Sequence, residues 1–185
     1  MTEHALDHLD KLPVVSVSKD AKPTIKEYVS HSTQSPGETF RSMTSGLEKH
    51  FNAAGIKVVR RNEDRPLAHG DRFYLIPKHQ PVLMPCRVNI DPSSRRVTIE
   101  TLGHHPFQGT NVFEAKHDGK GGSLLVQTAT FQASSKSMSF LSGTSLVDKP
   151  QNKTWRLFHK QVSHTPDSPS AGSARAEASN WRRSP

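Results

Sequence analysis

The sequence predicts an α+β domain in which a curved antiparallel sheet of about six strands grips a C-terminal helix. Three observations predict this architecture. An amphipathic helix starts near Ser35, a run of short alternating strands follows, and a second amphipathic helix begins near Asp148. Strands joined by short links pair antiparallel, and a sheet with one apolar face must cover that face, which the two helices can do.

The first helix opens with a capping box. Ser35 is a capping residue, Pro36 suits the first helical position, and Glu38 follows the serine at the spacing of the box. Apolar residues then recur at helical steps, which places them on one face; these are Phe40, Met43, Leu47, Phe51 and Ala54. Gly55 stands where a left-handed residue ends a helix. We therefore expect one amphipathic helix between Ser35 and Gly55.

The strands are marked by alternating apolar and polar residues between turn signals. We expect them over residues 56–59, 73–76, 82–90, 96–101, 111–116 and 124–131. In the third of these, Cys86, Val88 and Ile90 share one side, and Arg87 and Asn89 share the other. Because successive side chains of a strand point to opposite faces, the apolar side indicates the face that lies inward.

The last helix carries an apolar stripe. Asp148 can cap it, Pro150 falls in its first turn, and Trp155, Phe158 and Val162 recur on one face. A sheet that curls around this helix leaves a space between the two. That is the geometry of a helix-grip domain, and a space of this kind suits an apolar ligand.

The two ends of the chain differ in composition from its middle. Residues 1–30 alternate short apolar pieces with polar residues and indicate a loosely ordered arm, to which one edge strand could belong. Residues 31–162 are expected to form the helix-grip domain. Residues 163–185 contain too few apolar groups to offset the entropy of ordering and indicate a disordered basic tail. Residues 135–147 fit either a short helix or a mobile lid over a cavity.

Composition excludes several classes of protein. Cys86 is the one cysteine, which rules out an intramolecular disulfide and a thiolate metal cluster. The chain has neither a secretory leader pattern nor an apolar run long enough to span a bilayer, so we expect a cytoplasmic protein without a membrane partner. We expect no cofactor and no metal, since only His4 and His8 among the histidines have helical ligand spacing, and they lie in the arm.

The net charge of +8 raises the question of a nucleic-acid partner. The basic residues are dispersed, however, and their densest groups are the pairs at 60–61, 95–96 and 182–183. Aromatic side chains that could stack on bases are few. A nucleic acid is therefore disfavoured as a partner, and a basic nucleic-acid-binding protein is kept only as an alternative. A scaffold for partner proteins, with Trp181 as its anchor, is a further alternative.

Three stretches of the sequence carry a resemblance to a known family. They are residues 84–88 (Met-Pro-Cys-Arg-Val), residues 101–106 (Thr-Leu-Gly-His-His-Pro) with Gly109 and Phe113, and residues 130–134 (Thr-Phe-Gln-Ala-Ser). The chain resembles a little-characterised group of START-like domains with a Pro-Cys-Arg-Val strand and a Thr-Leu-Pro-Gly-His-Pro turn. This group shares the helix-grip architecture of polyketide cyclases. The resemblance covers residues 37–162 and implies that fold more than a reaction.

The sequence departs from the pattern of this group in the turn. Gly103 and His104 stand in place of Pro-Gly, and Phe107 stands in place of an acidic residue. Residues 109–111 (Gly-Thr-Asn) replace Gly-Glu-Glu, so the acidic pair of the group is missing. The positions that match are Cys86, Arg87, His105, Pro106 and Gly109.

His105 is the candidate polar group of the cavity. The residue before a proline is held in an extended conformation, so His104 and His105 should point to opposite faces and only one of them can enter the cavity. A neutral imidazole there could move a proton near neutral pH, and Glu114 on the next strand could serve as its acid–base partner. Alternation also allows Glu114 to face water, opposite Phe113 and Ala115.

Further residues are expected to line or cap the pocket and so to bind the ligand. They are Arg87, Val97, Ile99, Phe113, Phe131, Met138 and Phe140. Arg87 could hold an acidic ligand group through its planar guanidinium, or it could form an exposed ion pair with Glu100 on the neighbouring strand. The expected ligand is a small, mainly apolar metabolite. Two functions are open: proton transfer of the cyclase or isomerase type, and a carrier that binds without reacting.

Overall fold

The structure is a computed structural model that describes residues 3–20, 22–78, 82–134 and 145–163, with the backbone alone described for residues 145–151. Helices and strands follow each other within these ranges in this order: α1 (Glu3–Lys11), β1 (Thr24–Ser32), α2 (Pro36–Ser45), α3 (Leu47–Ala53), β2 (Ile56–Val59), β3 (Arg72–Pro77), β4 (Met84–Asp91), β5 (Arg96–Thr101), β6 (Phe107–His117), β7 (Ser123–Ala133) and α4 (Ser145–Ser163).

The strands form one antiparallel sheet in the order β1-β7-β6-β5-β4-β3-β2. Strands β2 to β7 are a meander, and β1 reaches the far edge to pair with β7 from Thr24 against Phe131 to Ser32 against Ser123. The sheet curls around α4, which confirms the predicted α+β architecture. The six expected strands are present, and β1 adds a seventh at the edge, where a strand from the arm had been left open as a possibility.

The predicted first helix is present but broken in two at Gly46. A side chain at this position would begin 2.7 Å from Nε2 of His50, so the glycine leaves room for that ring. The capping box is confirmed, because the Ser35 hydroxyl accepts from the Glu38 amide and the Glu38 carboxylate accepts from the Ser35 amide. Gly55 has a φ of +86° and ends α3 in the expected left-handed conformation.

Aromatic side chains fasten α4 to the concave face of the sheet. Phe158 on α4 lies with its ring centroid 4.9 Å from that of Phe113 on β6 and 5.1 Å from that of Phe51 on α3. Trp155, one turn earlier, completes the group at 5.9 Å from Phe113. Since these rings are buried almost completely, they account for much of the apolar surface that holds the helix in place.

Helix α1 packs on the outer face of the sheet and was not predicted. Leu9 and Leu12 are buried there against Tyr74 and Leu102. The guanidinium of Arg72 donates to the carbonyl oxygens of Leu9 at 3.0 Å and Leu12 at 2.6 Å at the end of the helix, where carbonyls lack their regular intrahelical partners. The Leu9 carbonyl also accepts from the Leu12 amide at 3.3 Å. Residues 3–12 are therefore held by both apolar and polar contacts.

The remaining expectations concern the segment before α4 and the tail. Helix α4 begins at Ser145 rather than near Asp148. Residues 135–144, where a short helix or lid was expected, and residues 164–185, nearly all of the expected tail, lie outside the described residues. The division into an arm, a domain over residues 31–162 and a tail stays a prediction. None of the described helices has both the length and the apolar content that a bilayer crossing requires.

Candidate functional site

A cavity of about 680 Å³ lies between the concave face of the sheet, the end of α3 and the middle of α4. This volume is within the range of small-molecule sites in proteins. Its walls are mainly apolar side chains: Phe51, Ala54, Ile56, Leu75, Pro77, Met84, Cys86, Ile99, Phe107, Ala129, Phe131, Trp155 and Leu157. Two exposed lysines, Lys78 and Lys153, also contribute to the lining.

The cavity exists because small residues face inward on two neighbouring strands. Gly109 and Asn111 on β6 lie beside Ala129 on β7 at this end of the sheet. Gly109 has a φ of +146°, and a Cβ atom there would lie 2.0 Å from the carbonyl oxygen of Thr130. Only glycine fits this position, so the wall at Gly109 is bare backbone.

His105 supplies an imidazole to the cavity wall and is only 9% exposed. Its Nδ1 accepts a hydrogen bond of 2.9 Å from the backbone N–H of Phe107. Burial lowers the pKa of His105 to about 4, so the ring is neutral at neutral pH. With Nδ1 acting as the acceptor, the single ring proton must sit on Nε2.

His105 lines the cavity and His104 does not, as predicted, but the extended conformation expected for this pair is wrong, because His104 lies in a turn. The φ of His104 is +66°, its side chain is exposed, and its ring centroid is 5.5 Å from that of His8 on α1. The turn closes with a hydrogen bond of 3.1 Å from the His105 amide to the Leu102 carbonyl. The left-handed conformation at His104 is what turns the next side chain into the cavity.

Two further residues of the wall have polar side-chain atoms. Trp155 is buried, and its indole Nε1, which is closed off from the cavity surface, has no hydrogen-bond partner within the part of the chain that the structure describes. Asn111 contributes a carboxamide whose oxygen accepts from Gln127 at 3.0 Å. Thr101 also lines the cavity, but its hydroxyl already accepts from the Gly109 amide at 2.9 Å and lies within donating distance of the Val15 and Gly109 carbonyls.

The apolar residues expected at the pocket fall into three groups. Ile99 and Phe131 line the cavity. Val97 and Phe113 face inward but are fully buried in the packed core, beyond the cavity wall, because the aromatic side chains of α3 and α4 fill the interior there. Met138 and Phe140 lie outside the described residues.

The charged residues expected at the site lie on the outer face of the sheet, because strand alternation turns them away from their apolar neighbours. Glu114 contacts Lys116 at 2.7 Å and also pairs with Arg96. The hydrogen bond from Lys116, together with Arg96, lowers the pKa of Glu114. Arg87 forms an ion pair of 2.7 Å with Glu100, its cross-strand neighbour. The structure therefore brings neither residue together with His105.

Sequence reasoning missed most residues of the wall, and three of them, Trp155, Asn111 and Ala129, show why. Trp155 was read as part of an apolar stripe, and the signal that could have singled it out is an indole N–H on a fully buried face, which needs an acceptor. Asn111 shares a strand face with Phe113, so an inward amide could have been inferred from alternation. Ala129 gave no such signal, since a small apolar residue suits a core and a cavity wall equally well.

The described residues of the site do not favour metal binding or a nucleophilic thiol. Among the residues that the structure describes, no group of three or more His, Cys, Asp or Glu side chains could hold a metal ion. Cys86 lines the cavity, but burial raises the pKa of its thiol well above the usual range. A thiol is a poor nucleophile in that state.

Comparisons with known proteins agree with the fold. No protein-family model matches the sequence, and no curated protein matches it significantly. Among solved structures, norcoclaurine synthase from Thalictrum flavum, in complex with dopamine and hydroxybenzaldehyde, is 10% identical with a TM-score of 0.56, over 82% of this chain and 95% of that one. The protein TTHA0849 from Thermus thermophilus is 16% identical with a TM-score of 0.53, over 75% of this chain and 96% of that one.

A third similar structure is the protein XoxI from Bacillus cereus, at 11% identity and a TM-score of 0.52, over 75% of this chain and 95% of that one. Identities this low carry the fold alone. The fold and the cavity together define a domain of the helix-grip fold with a hollow interior. Membership of the particular group with the Thr-Leu-Pro-Gly-His-Pro turn stays a prediction.

Proposed function

We propose that the chain binds a small, mainly apolar metabolite in its internal cavity and holds this ligand without transforming it. The observation that carries the proposal is the cavity itself, which has about 680 Å³ of space, apolar walls and one buried imidazole. Close packing between a sheet and a helix stabilises a protein through many small contacts, and a ligand seated in a cavity of this size would make such contacts with its apolar walls.

Binding is favoured over proton transfer because the described residues of the wall supply neither a carboxylate nor an imidazole with a free basic nitrogen. The described lining contains no carboxylate. Its one imidazole is neutral, has Nδ1 engaged by the Phe107 amide and carries its proton on Nε2. A group in this state donates a hydrogen bond to a ligand and is a weak proton acceptor. The acid–base pair of His105 and Glu114 is accordingly not part of the proposal.

A cavity-filling variant tests binding. Anilinonaphthalene sulfonate, whose fluorescence rises in apolar surroundings, is titrated into the wild type and into Ala129→Phe, which puts a ring into the cavity from β7. We expect saturable binding at one site in the wild type and at least a ten-fold weaker affinity in the variant. The matched control is Thr128→Phe, which adds the same ring on the outer face of the same strand and should keep the wild-type affinity.

Equal affinities in Ala129→Phe and wild type, with both proteins folded by circular dichroism, would place the probe elsewhere and refute the proposal. The enzymatic alternative is checked separately with acetylnaphthalene in deuterated water. A carrier leaves the rate of deuterium incorporation at the methyl carbon at the buffer value. Incorporation that the wild type accelerates and His105→Asn does not would show proton transfer and would replace the carrier by an isomerase-like enzyme.

A further inference from the structure

Side-chain hydrogen bonds form a chain from the end of α4 to the cavity wall. Ser163 Oγ lies 3.3 Å from Ser30 Oγ, which in turn lies 2.9 Å from Nδ1 of His159. On the other side of the ring, Nε2 of His159 lies 2.9 Å from Oε1 of Gln127. Nε2 of Gln127 donates to Oδ1 of Asn111 at 3.0 Å. We call these five residues the polar chain.

The direction of every hydrogen bond in the polar chain is fixed by chemistry. An amide oxygen only accepts, so Nε2 of His159 must carry a proton to reach Gln127. Burial lowers the pKa of His159 to about 4, and the neutral ring therefore leaves Nδ1 as an acceptor. The hydroxyl of Ser30 must then donate to that nitrogen.

The same reasoning extends to both ends of the polar chain. Since the proton of Ser30 is used, its oxygen accepts from Ser163. At the other end, the Gln127 amide nitrogen donates to the Asn111 oxygen. All four bonds are thus donated toward the cavity. They hold the Asn111 carboxamide with its oxygen engaged and leave its NH₂ group as the part available to a ligand.

Two N–H donors consequently belong to the cavity wall without an acceptor among the described residues. They are the side-chain NH₂ group of Asn111 on β6 and Nε2 of His105 in the turn before β6. A buried donor without an acceptor destabilises the protein by more than a typical hydrogen bond stabilises it. A ligand that carries an acceptor is therefore favoured in this part of the cavity.

From this arrangement we propose that the cavity selects carbonyl compounds, in which a ketone or ester oxygen on an apolar body accepts hydrogen bonds from Asn111 and His105. The proposal rests on the proposed ligand-binding function and narrows its ligand class. A carbonyl oxygen has two lone pairs and no proton, so it can accept two of these bonds without presenting a donor of its own. A hydrocarbon of the same shape would leave the donors unsatisfied.

The test uses a pair of probes with the same shape. Acetylnaphthalene and isopropenylnaphthalene differ in a carbonyl oxygen against a methylene group, and each is titrated as a competitor of anilinonaphthalene sulfonate. His105→Asn keeps an oxygen that can accept from the Phe107 amide. Because the Asn side chain is shorter than the imidazole, its NH₂ group does not reach the position of Nε2 in the cavity. We expect this variant to bind the ketone about five-fold more weakly and the hydrocarbon within about two-fold of wild type.

Asn111→Asp is the stronger variant, since it keeps the acceptor for Gln127 but replaces the NH₂ donor with a carboxylate oxygen. The ketone should bind about ten-fold more weakly, with little change for the hydrocarbon. Asn52→Asp makes the same chemical change at an exposed position of α3 and should alter neither affinity. If both variants weaken the ketone and the hydrocarbon equally, the cavity binds without selecting carbonyls and the inference is overturned.

A measurement on the wild type tests the polar chain without any variant. Nitrogen NMR of the His159 ring distinguishes a protonated ring nitrogen from a bare one. At neutral pH we expect the proton on Nε2 and the lone pair on Nδ1. The opposite tautomer would reverse the direction of the bonds and overturn the inference, even if Ala129→Phe had shown that the cavity binds the fluorescent probe.

Discussion

The interior of the domain has a packed end and a hollow end, and the same two strands run through both. At the packed end, Phe113 on β6 and Leu125 on β7 are fully buried against the rings of α3 and α4. At the hollow end, the same inward faces carry Asn111 and Ala129, and a cavity takes the place of the core. The sheet and its register continue unchanged between the two. Residue size along one strand face, rather than a change of fold, therefore separates a core from a binding site.

The two ends also hold their buried histidines differently. His159 belongs to the packed end, and both of its ring nitrogens have side-chain partners. His105 belongs to the hollow end, where Nδ1 accepts from the backbone and Nε2 has no hydrogen-bond partner among the described residues. Burial lowers the pKa of both to about 4. A buried neutral histidine is thus structural at one end and available to a ligand at the other.

The largest expected effect is on the free energy of unfolding, when one phenylalanine at each end is replaced by alanine. Phe113→Ala removes a ring that is packed on all sides, and we expect the free energy of unfolding to fall by about 3–5 kcal/mol. Phe131→Ala removes a half-buried ring that borders empty space, and we expect a loss of about 1–2 kcal/mol. Urea denaturation followed by circular dichroism measures both. Equal losses would mean that the hollow end is packed as tightly as the other, which would remove the contrast.

The pH dependence of stability gives the next largest effect. Because the folded state lowers the pKa of His105 to about 4, the unfolded chain, with a pKa near 6.5, binds the proton first as pH falls. The contribution of neutral His105 to the free energy of unfolding is therefore fully present above about pH 6.5. It is lost as pH falls toward 4, and the total loss is roughly 3 kcal/mol. His159 contributes in the same direction over the same window.

The variant His105→Asn measures how much of the pH dependence of stability comes from His105, the buried histidine of the hollow end. We expect the free energy of unfolding of this variant to fall less than that of wild type between neutral pH and pH 4, by roughly 3 kcal/mol. Urea titrations at several pH values measure the difference. If the free energy of unfolding changed with pH in the same way in both proteins, His105 would titrate normally and be open to water. The proposal that it acts as a neutral hydrogen-bond donor would then be wrong.

The contrast between the two ends also explains what the sequence could predict. Alternation identified the inward faces of the strands correctly, and the capping box located the start of α2, because both are local patterns. The cavity is a difference in volume between inward residues on several strands, so Val97 and Phe113 were assigned to the pocket although they fill the core. The donor role of His105 depends on a hydrogen bond to Phe107 within a turn, which residue types do not reveal.

The smallest expected effect on stability comes from an ion pair on the outer face of the sheet. This pair tests whether the difference between the packed end and the hollow end is confined to the interior. Arg87 and Glu100 pair at 2.7 Å on that face, with side chains that are 33% and 20% exposed. A double-mutant cycle with Arg87→Ala and Glu100→Ala should give a coupling of about 0.5–1 kcal/mol, because water screens the pair. Anilinonaphthalene sulfonate should bind to all members of the cycle with the wild-type affinity. A loss of probe binding in Arg87→Ala alone would indicate that the guanidinium reaches the ligand, and the boundary of the site would then have to include the outer face.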